Sequence, residues 1–216
     1  MAALMDSAPL LTISLLVGYL FGALPLADRI SRRRGVDIFA SGTRLAGASN
    51  VRRSVGKYTA GVVLVGDIAK GVLAVISARV LGVDDAWIIL VATATVVGHW
   101  HSVFAGFRGG DGLATLGGIV IALFPLYGLI AALVATAVAL GAQKAPYTSL
   151  MGIVFGYITL AALGFAYELD LGLILGIGGV VALVLARAIK SNLRRRRFEE
   201  LEEFPDPIGA TEQPRA

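Results

Sequence analysis

Long apolar runs recur along the whole chain, each close to the thickness of a lipid bilayer. A helix that spans the hydrocarbon core, about 30 Å thick, needs about 20 mostly apolar residues. The chain is 56% hydrophobic and only 16% charged, whereas soluble domains carry about 25% charged residues. Asp6, rather than basic residues, precedes the first run, which favours a spanning helix over a cleaved signal peptide. We therefore predict an all-α integral membrane protein with these seven spans: Pro9–Leu26, Tyr58–Leu81, Trp87–Phe104, Leu113–Phe124, Tyr127–Ala142, Thr148–Ala166 and Leu171–Ala188.

The placement of lysine and arginine predicts the orientation of these spans. Basic residues occur at residues 29–57, at Arg108, at Lys144 and at residues 187–197, but not in the other connections. Cytoplasmic loops carry the excess of Lys and Arg, so the N-terminus is expected outside and the C-terminus in the cytoplasm. Arg108 and Lys144 lie on one side only if residues 113–142 cross twice, which Pro125 and Gly128 permit by interrupting the apolar run. A re-entrant hairpin at Pro125 would keep the same parity.

Composition also narrows the chemistry. With no cysteine and only two histidines, disulfides, thiolate metal sites and a histidine-rich metal cage are excluded. We assign residues 1–197 to one membrane domain, and we expect the acidic, proline-containing tail 198–216 to be disordered. The run Arg194–Arg197 is typical of a topology anchor that attracts anionic lipid. Nucleic acid is not expected as a partner, because no soluble binding module accompanies this run.

The first candidate site is a loop rich in small polar residues and arginine, followed by Gly56-Lys57. Its sequence is Ser41-Gly42-Thr43-Arg44-Leu45-Ala46-Gly47-Ala48-Ser49-Asn50-Val51-Arg52-Arg53. Small residues let backbone N–H groups form an anion-binding nest, and arginine adds a fork that matches phosphate. The alternative is a flexible basic connection between two helices.

Two further groups fall on the same predicted face. One runs from Gly98-His99 to Phe107-Arg108-Gly109-Gly110-Asp111-Gly112, whose glycines open a helix and can place N–H groups at an anion. A lone histidine such as His99 is more often buried and bonded to a carbonyl. The other is Asp67 and Lys70, spaced i, i+3 on one helix face, where they can pair. Ionisable groups inside a membrane point to function, although this pair could also simply anchor the basic loop.

These segments resemble the PlsY-type membrane glycerol-3-phosphate acyltransferases, over nearly the whole chain to about Asn192. Leu24-Pro25 and Gly35-Val36-Asp37-Ile38 match that family early in the chain. The first loop from Gly47 to Arg53 is similar to its Gly-Ala-Thr-Asn-Val-x-Arg, and Asp67 to Gly71 to its Asp-x-x-Lys-Gly. Gly98 to Thr115 resembles its Gly-His-x-x-x-Val-Phe … Phe-Lys-Gly-Gly-Lys-Gly-x-Ala-Thr. The resemblance implies seven spans with an outside N-terminus, in agreement with the charge pattern.

The resemblance further implies transfer of an acyl group from acyl phosphate to the 1-hydroxyl of glycerol 3-phosphate. The products would be lysophosphatidic acid and phosphate, made at the cytoplasmic face of the cell membrane, with no cofactor, metal or acyl-CoA. It assigns catalysis to Ser41, Arg53 and His99, with Asp67 and Lys70 as an ion pair. The residues expected at substrate phosphate are Gly42, Thr43, Arg44, Gly47, Ser49, Asn50, Lys57, Arg108, Gly109, Gly110, Gly112 and Asn192.

This chain departs from the family pattern at three places. The first loop is two residues longer between Gly42 and Gly47, with Thr43-Arg44 where the family has Asn after the glycine. Asp111 stands where the family has lysine, Arg108 replaces another lysine, and Ile189 replaces a histidine. A carboxylate should repel a phosphate dianion, which keeps open a paralogue with an altered acceptor or no catalysis. A small transporter is the third reading, disfavoured because the chain shows no internal repeat and offers only Asp67, Lys70 and Arg79 as intramembrane charges.

Overall fold

The computed structural model describes residues 2–141 and 148–203, and within these residues every regular element is helical. One isolated bridge pairs Ser102 with Arg108. The α-helical fold class predicted from the sequence is confirmed. The helices are α1 (Ala2–Ala23), α2 (Leu26–Arg32), α3 (Ala48–Ser54), α4 (Lys57–Val80), α5 (Asp85–Trp100), a 3₁₀ turn (Val103–Ala105), α6 (Leu113–Leu123), α7 (Pro125–Gly141), α8 (Thr148–Ala166) and α9 (Leu171–Glu203).

Four helical stretches in the described chain are long and apolar enough to cross a bilayer. They are Ala8–Arg32, which joins α1 to α2, and the stretches Lys57–Val80, Thr148–Ala166 and Leu171–Leu193. The helices α5, α6 and α7 are apolar but shorter. The chain is thus a multi-pass membrane protein, while the number of seven spans and the orientation of the termini stay predictions.

Two predicted span ends are wrong because the chain turns earlier than its hydropathy indicates. The helix α1 ends at Ala23 rather than Leu26, because Pro25 has no N–H to continue the ladder and instead stands at the N-cap of α2. The helix α5 ends at Trp100 rather than Phe104, where the chain folds back and Gly110 N donates to the carbonyl of His99 at 3.3 Å. Both turns lie beside the candidate site.

The boundaries of α6 and α7 lie closer to prediction. A break at Phe124 (φ −131°, ψ 76°) separates α6 from α7, as the Pro125 signal predicts, and α7 begins at that proline rather than at Tyr127. The helix α9 continues past Ala188 to Glu203, so residues 198–203 of the predicted disordered tail are helical. Ala142, Lys144 and residues 204–216 lie outside the described residues.

Glycines bring the helices of the site into backbone contact. A Cβ on Gly118 of α6 would collide with the carbonyl of Ile68 on α4, and one on Gly71 of α4 would collide with that of Thr115. Membrane helices lack a hydrophobic drive to associate and gain stability from such close packing. This contact sets Asp67 and Lys70 against the start of α6. The neighbouring core is apolar, and it holds Val75, Val91, Val96, Ile119 and Ile177 among its buried residues.

Candidate active site

A buried polar cluster lies where α4, α5 and α6 meet. Lys70 Nζ lies 2.6 Å from Asp67 Oδ1, and His99 Nδ1 lies 3.8 Å from the same oxygen. Thr115 Oγ1 is 3.3 Å from His99 Nδ1. Asp67, Lys70 and His99 are only 2%, 3% and 6% exposed. Buried charges are costly unless they are paired. The Asp67–Lys70 ion pair therefore allows this polar cluster to lie inside an apolar helix bundle.

A cavity opens onto this cluster. Six of the residues predicted for the site line it, so the structure brings together the ion pair, the histidine and the second loop. Its lining also includes Phe39, Ala46 and Ser102, to which the sequence assigned no role. The complete lining is Gly22, Leu24, Pro25, Leu26, Ala27, Phe39, Ala46, Asp67, Lys70, His99, Ser102, Ala105, Arg108, Gly109 and Gly110.

The second loop lies against Nε2 of His99, where Gly110 makes the close approach. A Cβ on Gly110 would come within 2.6 Å of His99 Nε2 and 2.5 Å of the carbonyl oxygen of Ala46. Only glycine allows this approach without moving the loop. The imidazole therefore directs Nδ1 toward Asp67 and Thr115 and Nε2 toward the second loop, which borders the cavity.

Arg108 stands at the edge of the cavity with its guanidinium exposed. Its Cζ lies 4.3 Å from the centroid of the Phe39 ring, which is within cation–π distance. Its Nε donates weakly to the carbonyl of Ala105 at 3.5 Å. The Phe39 face thus fixes the direction of this arginine and leaves charge available to an anion entering the cavity.

Asn50 organises the first loop from inside. Its side chain is fully buried, and its Nδ2 lies 3.0 Å from the carbonyl oxygens of Ile38, Ser41 and Leu45. Its Oδ1 accepts from the Thr43 backbone N–H at 3.0 Å. These contacts commit the Asn50 amide to the loop backbone, so its direct contact with phosphate stays a prediction, and a role in shaping the loop is what the structure shows.

The two loops touch each other although they are far apart in the sequence. The backbone N–H of Ala46 donates to the carbonyl of Gly109 at 3.1 Å. Both residues line the cavity. The wall of the site is therefore a joint product of the first and second loops.

Several predicted residues lie around this cavity rather than in its wall. Ser41 is partly buried beside the Asn50 contacts, whereas Arg53 and Lys57 are exposed at the ends of α3 and α4. Asn192 lies on α9, where its Nδ2 donates to the carbonyl of Ala188 at 2.9 Å. Within the described chain, these predicted residues do not line the cavity: Ser41, Gly42, Thr43, Arg44, Gly47, Ser49, Asn50, Arg53, Lys57, Gly112 and Asn192.

Sequence reasoning missed three supports of the site. The buried Ser102 hydroxyl donates to the carbonyl of Ala23, which closes the α1 turn onto the end of α5. Trp100 Nε1 donates to the carbonyl of Asp111 at 2.9 Å and so secures the second loop. Tyr19 donates its hydroxyl to the carbonyl of His101 at 2.8 Å. Ser102 and Trp100 lie inside the Gly98–Thr115 motif, so the motif marked the region without indicating their roles.

An apolar groove runs between α6, α7, α8 and α9. Its first residue, Leu113, comes directly after the glycine-rich second loop. The groove is lined by Leu113, Leu116, Gly117, Val120, Ala131, Ala132, Ala135, Ile153, Gly156, Tyr157, Leu160, Ile177 and Val181. A lipid-like chain can therefore lie in the bundle with its head near the second loop.

Metal binding finds no support in the arrangement of acidic and histidine side chains. Across the described residues, no group of three His, Cys, Asp or Glu side chains is placed to hold an ion. We predicted that the reaction needs no metal or cofactor. This stays a prediction, because the arrangement of side chains alone does not test the reaction.

Comparison with known proteins identifies the family. The family model of the glycerol-3-phosphate acyltransferases matches residues 12–198. The Geobacter sulfurreducens glycerol-3-phosphate acyltransferase is 33% identical over 181 residues, covering 84% of this chain and 91% of the relative. Glycerol-3-phosphate acyltransferase 1 of Deinococcus radiodurans is 48% identical over 117 residues, which span 54% of this chain and 59% of the relative. The matched stretch of that second relative is thus less than two thirds of its length.

The fold is also similar to a solved structure. PlsY, an integral membrane glycerol 3-phosphate acyltransferase crystallised in its glycerol 3-phosphate form, superposes with a TM-score of 0.72 at 27% identity. The match covers 88% of this chain and 92% of PlsY. A second crystal structure of PlsY, in its lysophosphatidic acid form, gives a TM-score of 0.70. From the family match over most of its length, supported by this fold, the chain belongs to the glycerol-3-phosphate acyltransferase family.

Proposed function

We propose that this protein transfers an acyl group from acyl phosphate to the 1-hydroxyl of glycerol 3-phosphate, yielding lysophosphatidic acid and phosphate. The observation that carries the proposal is the cavity in which His99 Nε2, the second loop and Arg108 converge above the buried Asp67–Lys70 pair. Family membership and the PlsY fold support the acceptor. The reaction needs no cofactor or metal and begins phospholipid synthesis.

Both substrates carry phosphate, and both loops offer anion-binding groups. Arg108, Gly109 and Gly110 border the cavity, and the Gly110 N–H is already bonded to the carbonyl of His99. The first loop contributes Ser41 and the exposed Arg53 from a neighbouring surface. Arginine forks and amide nests are the groups that hold phosphate best, so the two loops divide the two phosphates between them.

His99 is placed to act as the general base. A proton on Nδ1, directed at Asp67 and Thr115, leaves the lone pair of Nε2 facing the site. The 1-hydroxyl oxygen attacks the acyl carbonyl carbon, its proton passes to Nε2, and the bond from that carbon to the phosphate oxygen breaks. Phosphate leaves and takes up the proton. A substrate phosphate oxygen could accept the proton instead, which a His99 variant distinguishes.

The apolar groove is the natural place for the acyl chain. It begins at Leu113, three residues after Gly110 of the cavity wall. A chain lying in the groove sends its carboxyl end toward the loop amides, which would stabilise the oxyanion of the tetrahedral intermediate. The predicted seven spans with an outside N-terminus would put both loops on the cytoplasmic face of the cell membrane, where soluble glycerol 3-phosphate is at hand.

The test uses purified protein in mild detergent with palmitoyl phosphate and radiolabelled glycerol 3-phosphate. We expect labelled lysophosphatidic acid that depends on palmitoyl phosphate and does not form when palmitoyl-CoA replaces it. Arg53→Ala is the negative control. Folded protein that makes no lysophosphatidic acid with either donor contradicts the proposal.

A second candidate, a paralogue with a different phosphorylated acceptor, is favoured by Asp111 in the second loop. It predicts transfer from palmitoyl phosphate to another phosphorylated alcohol and none to glycerol 3-phosphate. Release of phosphate from palmitoyl phosphate, measured across a panel of such alcohols, separates the two candidates. Solute uptake into liposomes without consumption of acyl phosphate would instead support a transporter.

A further inference from the structure

We propose that Asp111 is a shared carboxylate that binds Arg44 of the first loop and Arg187 of α9, and that this bridge positions the phosphate-binding loops. The inference rests on the proposed function for its catalytic consequence, but the bridge itself is testable without turnover. The proposed bridge gives Asp111 a positioning role in a phosphate site, although a carboxylate by itself repels phosphate.

The indole of Trp100 brings Asp111 and Arg187 together. Trp100 Nε1 donates to the backbone carbonyl of Asp111 at 2.9 Å, which fixes that residue beside the ring. From α9, Arg187 Nη2 donates to the Trp100 carbonyl at 3.2 Å, and its Cζ lies 5.1 Å from the ring centroid. Asp111 and Arg187 thus approach the same side chain from two elements that are 76 residues apart in the sequence numbering.

The contact between the two loops places Arg44 near the second loop. Ala46 N donates to the Gly109 carbonyl at 3.1 Å. Arg44 lies two residues before Ala46, and Asp111 lies two residues after Gly109. The backbone of Arg44 is in the left-handed region (φ 58°), which is uncommon for a residue other than glycine. Its long side chain is exposed on the first loop, two residues before the loop contact.

Charge and burial favour the bridge over an isolated carboxylate. Asp111 is partly buried on a loop that also carries Arg108, and a buried carboxylate needs a cationic partner. A bridge to two arginines leaves the three groups with one net positive charge, which a phosphate can meet. The same bridge ties the first loop, the second loop and α9, so each loop would hold the other in its binding geometry.

The test is a set of double-mutant cycles on Asp111→Asn, Arg44→Gln and Arg187→Gln in detergent-solubilised protein. Asp111→Asn should raise KM for glycerol 3-phosphate about tenfold and change kcat by less than about threefold, within the range of coupled ionic contacts. In the Arg44→Gln background, Asp111→Asn should raise KM for glycerol 3-phosphate by less than about a further threefold. Asp111→Glu keeps the carboxylate, so its KM for glycerol 3-phosphate should stay within about threefold of wild type. Arg34→Gln, which removes an exposed positive charge elsewhere, is the matched control.

Thermal unfolding gives the readout that does not need the reaction. A coupling in the melting temperature between Asp111 and either arginine supports the bridge even if wild type makes no lysophosphatidic acid, which would count against the proposed function alone. Additive effects on melting temperature in both cycles overturn the bridge. A sharp fall in KM for glycerol 3-phosphate in Asp111→Lys overturns the positioning role, because the natural carboxylate would then act only by repulsion.

Discussion

His99 Nδ1 on α5 lies 3.8 Å from Asp67 Oδ1 on α4, and both side chains are almost completely buried. The same carboxylate oxygen accepts from Lys70 at 2.6 Å. One aspartate therefore pairs with a lysine on its own helix and lies close to a histidine on the next. This arrangement joins a structural requirement, neutralising a buried charge, to a chemical one, a carboxylate beside the imidazole.

Breaking the buried pair should cost more stability than removing it. Asp67→Asn or Lys70→Met leaves one uncompensated charge, and loss of one partner of a buried pair costs about 3–5 kcal/mol. The double variant Asp67→Asn/Lys70→Met should melt higher than either single variant. Melting temperatures in detergent check this, and a double variant that is the least stable of the three would count against the pairing.

Replacing the proposed base should affect turnover rather than folding. His99→Gln should lower kcat by about 10²–10⁴-fold, the usual contribution of general acid–base catalysis. His101→Gln is the matched control, because His101 is exposed and follows the end of α5. The measurement is lysophosphatidic acid formation at saturating substrates. A loss of less than tenfold would assign the proton to a substrate phosphate.

The arginines of α3 should differ in their effect although they are neighbours. Arg52 and Arg53 are both exposed in the last turn of the helix. We expect Arg53→Ala to raise KM for glycerol 3-phosphate by about 10- to 100-fold, as loss of a charge-assisted phosphate contact of about 1.5–3 kcal/mol would. Arg52→Ala should remain near wild type. Equal effects of the two changes would show that only general positive charge matters.

Filling the apolar groove should shorten the preferred acyl chain. A Cβ on Gly117 meets no atom within 4 Å, and Gly117 lines the groove, so Gly117→Leu should fold and project into that space. Activity with palmitoyl phosphate should fall about tenfold or more relative to a shorter acyl phosphate, since one misplaced methylene already costs about 1–3 kcal/mol.

Gly61→Leu is the control for this groove variant. Gly61 is also on a helix with nothing near its Cβ, but it is exposed on α4 and away from the groove. Its chain-length profile should match wild type. A parallel shift in both variants would point to a general effect of leucine on the bundle.

Labelling can decide the orientation, because the chain has no cysteine of its own. Single cysteines at Asp84 and Arg34, both exposed in connections, test opposite faces. A membrane-impermeant maleimide added to intact cells should label Asp84→Cys and leave Arg34→Cys unlabelled until the membrane is opened. The reverse pattern would invert the predicted topology.

Much of this architecture follows from local features of the sequence. The span Thr148–Ala166 and the break before Pro125 agree with the structure, since apolar length and the missing proline N–H act on a few consecutive residues. The end of α5 was misplaced for the opposite reason. The hydropathy predicted that α5 continues to Phe104, but the helix ends at Trp100 and the loop that follows folds back so that Gly110 lies against His99.

The sequence by itself determined the apolar helices, the basic connections and the glycine-rich motifs, because composition and spacing along the chain carry that information. It named the Asp67–Lys70 pair as well, since helical periodicity places i and i+3 on one face. Only the tertiary structure decided that His99 joins this pair, that Asn50 serves the loop backbone, and that Ala46 meets Gly109. Those contacts depend on how closely glycine-bearing helices and loops approach in space, which no local pattern of residues specifies.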